Sequence, residues 1–196
     1  MKTAKTLCFI LALTSLSLPA RSDTGLYPEA APADASFLRF IGFERGEPIQ
    51  FAGKSFDIPK TEGAPYVPVS AALLQGIQPG AFLTVVKDST GQLRTIQEGA
   101  VRDPGKVHLF LINTTPQNLN LRVAGSETVV IQGISAMQSG TRAVNPVSIG
   151  LSVVAEDGGE PLRTFQVNLQ RGQNLSFLAT PTGVQLIEHR FDPVAQ

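Results

Sequence analysis

Tryptophan is absent from this chain of 196 residues, which also has only two tyrosines and one cysteine. Sugar-binding modules commonly stack pyranose rings on exposed Trp or Tyr side chains, so this composition disfavours a carbohydrate-binding module. Charged residues make up 16% of the sequence, below the ~25% typical of globular domains, and no basic run marks a nucleic-acid-binding surface. No apolar run reaches the ~18 residues that a membrane-spanning helix requires.

The N-terminus has the three parts of a secretory signal peptide. Lys2 and Lys5 form a basic start, residues 7–16 are apolar, and small residues follow at Ala20 and Ser22. We expect cleavage after Ser22, with cleavage after Ala20 as the alternative. The mature protein is then expected to be exported from the cytoplasm.

The single cysteine, Cys8, lies inside the apolar stretch of this signal. Cleavage would therefore leave a mature protein without a disulfide or thiol chemistry. It would also remove Lys2, Lys5 and Arg21 and no acidic residue, which turns a formal net charge of zero into −3. A slightly acidic protein does not favour direct binding of a polyanion such as a uronate polymer.

Residues 106–125 show the clearest structural pattern in the chain. Apolar side chains alternate with others at residues 107, 109 and 111, and again at 119, 121 and 123. Strict alternation indicates strands with one buried face, and the intervening residues 113–118 are typical of a turn. We therefore predict a β-hairpin here, and a similar one at residues 37–53. A further hairpin is predicted across the turn at residues 88–91, and the prolines of residues 65–68 predict an edge strand at residues 66–69.

Two parts of the chain echo each other. Ala52-Gly53 matches Ala124-Gly125 at a separation of 72, while Gly80 to Val86 matches Gly172 to Leu178, and Thr90-Gly91 matches Thr182-Gly183, both at a separation of 92. This pattern indicates an internal duplication in which the second copy is about 20 residues longer in its middle. The alternative is that unrelated β-sandwiches share alternation and glycine-bounded turns.

The predicted fold is all-β, with two tandem small β-sandwich domains of an immunoglobulin-like or carbohydrate-module-like kind after the signal peptide. Short alternating segments and frequent turns predict about seven strands in each domain and little or no helix. Residues 133–142 are expected to form a loop. The boundaries are a signal at 1–22, an extended arm at 23–35, a first domain at 36–98, a linker at 99–105, a second domain at 106–191 and a flexible tail at 192–196.

The sequence offers no clear catalytic or metal-binding constellation. His108 and His189 lack a neighbouring ligand at metal spacing, and we expect both to be solvated strand residues rather than catalytic ones. No serine lies in a G-x-S-x-G context, although a triad is recognised by geometry and not by spacing. Three acids in the turn at residues 156–160 are expected to be solvated, with a calcium site as the alternative. We predict no catalytic residue, metal or cofactor.

Two surface segments are candidates for recognition. Arg142 and Asn145 flank the start of a predicted strand, where Arg142 could project its charge onto a partner. Asn145 precedes a proline, and the competing interpretation is that it only caps a turn through its own backbone. In the N-terminal arm, Leu26 and Tyr27 form a small apolar hook, which either packs against the first domain or docks a partner.

Several of these segments together resemble the AlgF family, the accessory proteins of alginate O-acetylation. Gly25-Leu26-Tyr27-Pro28, Ala31-Pro32 and Ser36-Phe37-Leu38-Arg39 resemble the start of its mature members. The run from Arg142 through Asn145-Pro146 resembles the family's Arg-x-x-Asn-Pro-Val motif, and Arg171-Gly172 also fits. The resemblance covers essentially the whole mature chain, although residues 60–69 depart from it.

The resemblance implies a periplasmic, non-catalytic adaptor built from two β-sandwiches and needed for O-acetylation of alginate or a related uronate exopolysaccharide. Its implied partners are periplasmic O-acetyltransferases and the membrane acetyl-transfer machinery, with the uronate polymer as a further candidate. The alternatives are an acetyl carrier or transferase that uses a Ser or Thr hydroxyl, and a carbohydrate-binding module. The candidate partner-binding residues are Leu26, Tyr27, Arg39, Arg142 and Asn145.

Overall fold

The computed structural model describes residues 30–43, 46–57, 64–88, 90–99 and 103–190. The predicted signal peptide, Leu26, Tyr27 and the predicted tail lie outside the described residues. Within the described part, the chain forms fourteen β-strands and one 3-10 turn, Ala71–Leu73. The strands are β1 Ala35–Ile41, β2 Pro48–Phe51, β3 Lys54–Asp57, β4 Val67–Ser70, β5 Phe82–Lys87, β6 Leu93–Glu98, β7 Val107–Asn113, β8 Leu119–Val123, β9 Val129–Ile134, β10 Gln138–Val144, β11 Ser148–Ala155, β12 Arg163–Asn168, β13 Asn174–Thr180 and β14 Gly183–Glu188.

These strands form three four-stranded sheets and a separate hairpin. The first sheet has the order β4–β1–β5–β6, the middle sheet β10–β7–β13–β14 and the outer sheet β12–β11–β8–β9, while β2 pairs only with β3. The β1–β5 and β7–β13 pairs are parallel, and all other described strand pairs are antiparallel. The prediction of a nearly all-β chain is confirmed, with six strands before residue 99 and eight after residue 103.

The middle sheet is covered on both faces, and this explains the unbroken burial of its central strand. All seven residues of β7 are buried. Leu109 and Leu111 pack into a core shared with the outer sheet. On the opposite face, Ile112 joins Leu178 against Val86 of the first sheet. The three sheets are therefore stacked, with the middle sheet contacting both of its neighbours.

The first sheet buries its remaining face under the β2–β3 hairpin. Leu38, Phe40 and Val85 point to this side, where they meet Ile49 and Phe56 of the hairpin. Phe40 lies 5.1 Å from Phe56 between ring centroids, a distance typical of packed aromatic pairs. The alternation of β1 thus sends Leu38 and Phe40 to this core and Arg39 to the opposite face, towards the middle sheet.

The two halves of the chain repeat one topology. The sheet orders β4–β1–β5–β6 and β10–β7–β13–β14 match strand for strand, including the central parallel pair. The hairpins β2–β3 and β8–β9 also correspond, and their turns hold the echoed pairs Ala52-Gly53 and Ala124-Gly125. The additional strands β11 and β12 account for the greater length of the second copy. This correspondence supports the internal duplication inferred from the sequence.

The predicted hairpin at residues 106–125 is wrong. Strands β7 and β8 lie in different sheets, so the segment is an arch that crosses the sandwich. Buried Asn113 holds the arch together: its Nδ2 donates to the Gln117 carbonyl at 2.6 Å and to the Ile134 carbonyl at 2.8 Å. Alternation reports which face is buried, but not which strand pairs with which. Strands β1 and β2 are separated in the same way.

The expected loop at residues 133–142 is also wrong, because residues 138–144 form strand β10. The prediction of a loop was based on the Ser and Gly residues of this segment, which are common in loops. Gly140 is required by packing, since a Cβ built there would lie 2.4 Å from the Ile134 Cδ1 atom. The hairpin predicted across residues 88–91 is confirmed by the pairing of β5 with β6, and the proline-containing β4 lies at a sheet edge as expected.

Candidate functional site

A buried group of polar side chains lies where the first and middle sheets meet. Arg39, Thr84 and Glu98 come from three adjacent strands of the first sheet, β1, β5 and β6. The group, which we call the junction cluster, consists of Arg39, Tyr66, Thr84, Glu98, Ser176 and His189. Its last two members come from β13 and from the residue after β14, so it spans both halves of the chain.

The centre of the junction cluster is an ion pair without solvent exposure. Arg39 Nη2 donates to Glu98 Oε2 at 2.8 Å and Nε to Oε1 at 3.2 Å, and both side chains have 0% exposure. Thr84 Oγ1 accepts from Arg39 Nε at 2.7 Å and donates to Glu98, and the Tyr66 hydroxyl donates to Glu98 Oε2 at 2.7 Å. This bidentate geometry with supporting hydrogen bonds offsets the large cost of burying two charges.

The same guanidinium reaches into the other half of the chain. Arg39 Nη2 also donates to Ser176 Oγ at 2.8 Å, and Ser176 Oγ lies 2.7 Å from His189 Nε2. The His189 ring is 5.1 Å from Tyr66 and 4.7 Å from Phe110 between ring centroids. A backbone bond from Tyr66 N to the Arg190 carbonyl at 2.7 Å adds a further link. Polar and aromatic contacts therefore join the two halves beside the apolar ones.

Burial sets the protonation of this cluster. Desolvation, followed by the nearby charge of Arg39, lowers the pKa of His189 to about 3. Desolvation also raises the pKa of Tyr66 far above its ordinary value, so its phenol stays protonated as a donor. A neutral His189 can accept a hydrogen bond at Nε2. Since Ser176 Oγ already accepts from Arg39, its hydroxyl proton is assigned to the bond with His189.

Ser176 and His189 have the contact that a nucleophile and its base require. Ser176, however, has 0% exposure in this arrangement, so an incoming donor would first need the two sheets to separate. Arg39 Nη1 and His108 Nδ1 are also buried and have no hydrogen-bond partner among the described residues. In the closed arrangement the cluster is therefore a polar joint between sheets.

Three sequence expectations require correction at this joint. His189 was expected to be a solvated strand residue, but it follows β14, is only partly exposed, and its Nε2 atom lies 2.7 Å from Ser176 Oγ. His108 was expected to be solvated, but only 4% of it is exposed. His108 lies on the face of β7 opposite Leu109 and Leu111. That face packs against the first sheet and is therefore not open to water. Arg39 was expected to contact a partner directly, but a side chain with 0% exposure cannot do so in this conformation.

The other candidates fall in different places. Arg142 is exposed on β10, and Asn145 is exposed just after that strand. The Asn145 Oδ1 atom accepts a bond of 2.6 Å from Lys106 Nζ, so its side chain fastens the start of β7 to the end of β10. Leu26 and Tyr27 lie outside the described residues, and their predicted role stays a prediction.

Arg142 borders a surface groove between β9 and β10. The groove has a volume of about 350 Å³ and is lined mainly by aliphatic residues of β9, with Gly140, Thr141 and Arg142 on the β10 side. Both strands are sheet edges, since β9 pairs only with β8 and β10 only with β7. Among the predicted residues that the structure describes, Arg142 is the one that lines this cleft.

Sequence reasoning did not identify the cluster around Arg39, whose other members are Tyr66, Thr84, Glu98, Ser176 and His189. One signal was present: the echo of residues 80–86 in residues 172–178 aligns Thr84 with Ser176. These are the two hydroxyls that accept hydrogen bonds from Arg39. A lone arginine at an alternate position of an apolar strand was the second signal.

Within the described residues, no helix has the length and apolar composition that a membrane span requires. Nor do the described residues bring three His, Cys, Asp or Glu side chains together as a metal site. The acids of the β11–β12 turn lie apart from the junction cluster, and Glu156 accepts a bond from Asn118 at 3.0 Å.

Comparisons with known proteins identify relatives over most of the chain. A family model described as Alginate O-acetyl transferase AlgF matches residues 69–176, more than half of the sequence. A protein named alginate biosynthesis protein AlgF from Pseudomonas fluorescens is 27% identical, and the match covers 93% of this chain and 89% of the relative. Proteins of the same name from Pseudomonas syringae pv. tomato and Pseudomonas aeruginosa are 25% and 23% identical, covering 93% and 90% of this chain and 87% of each relative.

We predict that Glu98→Ala destabilises the fold by about 3–5 kcal/mol, because it leaves the Arg39 charge buried without its counter-ion. Urea unfolding measures this loss. The control Arg94→Ala breaks an exposed pair with Asp88, whose N–O distance is 3.0 Å, and should cost at most about 1 kcal/mol. The double variant Arg39→Met with Glu98→Leu should regain part of the loss. Equal costs for Glu98→Ala and Arg94→Ala would contradict a buried, energetically coupled pair.

We also predict a pH dependence that originates at His189. The pKa of His189 is about 3 in the folded protein and ~6.5 in an unfolded chain. Between these two pH values, this side chain binds a proton in the unfolded chain but not in the folded protein. The free energy of unfolding should therefore fall as pH drops below about 6.5, by up to about 1.4 kcal/mol per pH unit. His189→Gln keeps a polar partner for Ser176 but does not titrate. Its unfolding free energy should change less between pH 7 and 5; an equal change would refute this origin.

Proposed function

The chain belongs to the AlgF family, and we propose that it serves as a non-catalytic adaptor in the O-acetylation of alginate or a related uronate exopolysaccharide. The family match over residues 69–176 is the observation that carries this proposal. The relatives are named for alginate biosynthesis, and they align with most of this chain. In this role the protein would link the membrane acetyl-transfer machinery to O-acetyltransferases in the periplasm.

The architecture suits an adaptor in two respects. The junction cluster and the apolar contacts around Ile112 and Leu178 join both halves of the chain, which would hold two binding surfaces at a fixed separation. Strands β4, β6, β9, β10, β12 and β14 lie at sheet edges, and an edge strand can pair with a segment of another protein. The predicted signal peptide supports a periplasmic location.

An acetyl carrier is the second candidate, and one contact favours it. Ser176 Oγ lies 2.7 Å from His189 Nε2, and the matching family model is described as a transferase. In such a step, Ser176 Oγ would attack the carbonyl carbon of an acetyl donor. The new O–C bond would form as the bond to the donor's leaving group breaks, and the serine proton would pass through His189 to that group. The complete burial of Ser176 makes this candidate the weaker one.

The adaptor proposal predicts the phenotype of a clean deletion strain. Exported polymer from that strain should lose its acetyl esters, measured per uronic acid, while polymer yield persists and the intact gene restores acetylation. The reason is that an adaptor brings the acetylation proteins together but does not build the polymer. Unchanged acetylation in the deletion strain would overturn the proposal.

The two candidates are separated by intact-mass analysis of the purified protein after incubation with acetyl-coenzyme A and with an activated acetyl ester. The adaptor proposal predicts no stable acetyl adduct on the wild-type chain, because it requires no covalent step. An adduct that maps to Ser176 and disappears in Ser176→Ala would instead establish the carrier. An adduct spread over surface lysines in both proteins reports only chemical acetylation and leaves the adaptor prediction intact.

A further inference from the structure

Strand β12 forms one edge of the outer sheet, where it pairs only with β11 among the described strands. Leu169 N, just after the strand, donates to the Val147 carbonyl at 3.0 Å, and in an antiparallel pair only alternate residues bond to the partner strand. Thr164, Gln166 and Asn168 fall at the other positions, and all three are exposed. Each of them therefore directs a backbone N–H and a C=O away from the sheet.

Other edges of this structure carry features that discourage pairing with a further strand. Strand β4 contains Pro68, which has no N–H to donate. Arg163 donates to a carbonyl of β14 at 3.1 Å and so occupies part of that edge. Ser139 of β10 donates to the Gln97 carbonyl of β6 at 2.7 Å, so these two edges face each other. Residues 164–168 of β12 contain no proline, no charge and no register shift, which leaves this edge open to pairing.

The two ends of β12 carry charges of opposite sign. Glu160 lies in the turn before the strand, beside two further acids of that turn, and Arg171 lies in the turn after the strand. Both side chains are exposed, and neither forms an ion pair with another described residue. Asp103 and Arg171 both lie beside Gly105, but they form no ion pair with each other. An antiparallel neighbour of the same sequence would place its basic end against the acidic end of this strand.

We propose that β12 pairs antiparallel with β12 of a second molecule of this protein and forms a symmetric dimer. The register that uses every outward backbone group places Gln166 opposite Gln166 of the second molecule, and Thr164 opposite its Asn168. A residue on the two-fold axis meets itself, and a neutral amide there can both donate and accept, whereas a charge would repel its counterpart. The same register brings Glu160 of each molecule next to Arg171 of the other.

A second molecule suits this edge better than a segment of another protein that carries one sign of charge, because the edge presents an acid at one end and a base at the other. The two outer sheets, of four strands each, would join into one continuous sheet. The contact is a single pair of six-residue strands, so we expect a weak and reversible dimer. This inference goes beyond the proposed adaptor role and does not depend on it.

Sedimentation velocity of the purified mature chain at increasing concentration tests the proposal, and we expect a reversible monomer–dimer equilibrium. Glu160→Arg or Arg171→Glu alone should weaken dimerisation at least about tenfold, because each brings like charges together at two symmetric contacts. The double variant should recover most of the lost affinity, since each contact again joins opposite charges. Arg94→Glu reverses an exposed charge on the first sheet and should dimerise like the wild type.

Gln166→Pro tests the backbone contact separately from the charges. Proline removes an N–H that does not bond to β11, so the fold should persist, as checked by circular dichroism, while dimerisation weakens at least about tenfold. Gln166→Thr keeps the N–H and should still dimerise. Three results would overturn the proposal: a monomer at every concentration, a dimer that folded Gln166→Pro does not weaken, or charge reversals whose double variant stays as weak as the single ones.

Discussion

The rest of this structure depends on the buried ion pair between Arg39 and Glu98. A guanidinium that has no exposed surface must find all of its partners inside the protein, and here they come from both halves of the chain. Such a pair adds little to stability compared with well-packed apolar residues, but it tolerates few alternative arrangements. The first sheet is therefore held in one position on the middle sheet, since sliding it would separate Arg39 from Ser176 and the Tyr66 amide from the Arg190 carbonyl.

The repeated topology shows how this joint is built from two related surfaces. Strand pairing places Arg39 opposite Thr84 in the first sheet and Phe110 opposite Ser176 in the middle sheet, so Arg39 and Phe110 are equivalent positions. Glu98 and His189 correspond in the same way, because they pair with Phe82 and Asn174. One copy supplies the charged pair, and the other supplies a neutral imidazole and an aromatic ring. The facing sides of the first and middle sheets are thus equivalent in topology, but they carry different side chains that complement each other.

Much of the fold followed from the sequence, because period-two alternation and glycine-bounded turns report local structure directly. The β5–β6 hairpin, the edge position of β4 and the repeat were found in this way. The β7–β8 hairpin and the solvation of His108 were not, since both depend on a layer contributed by a distant part of the chain. Arg142 could be picked out as an exposed candidate, whereas its groove required the packing of Gly140 against Ile134. Arg39 was singled out for the wrong reason: its importance lies in the interior.

The central claim is that the junction cluster makes the two halves one rigid body, and backbone amide NMR relaxation tests it most directly. Amides of β5 and β6 and amides of β8 and β11 should report one rotational correlation time, that of the whole chain. Two shorter and different correlation times would contradict the account, because they would mean that the halves tumble independently and that Arg39 does not hold them together.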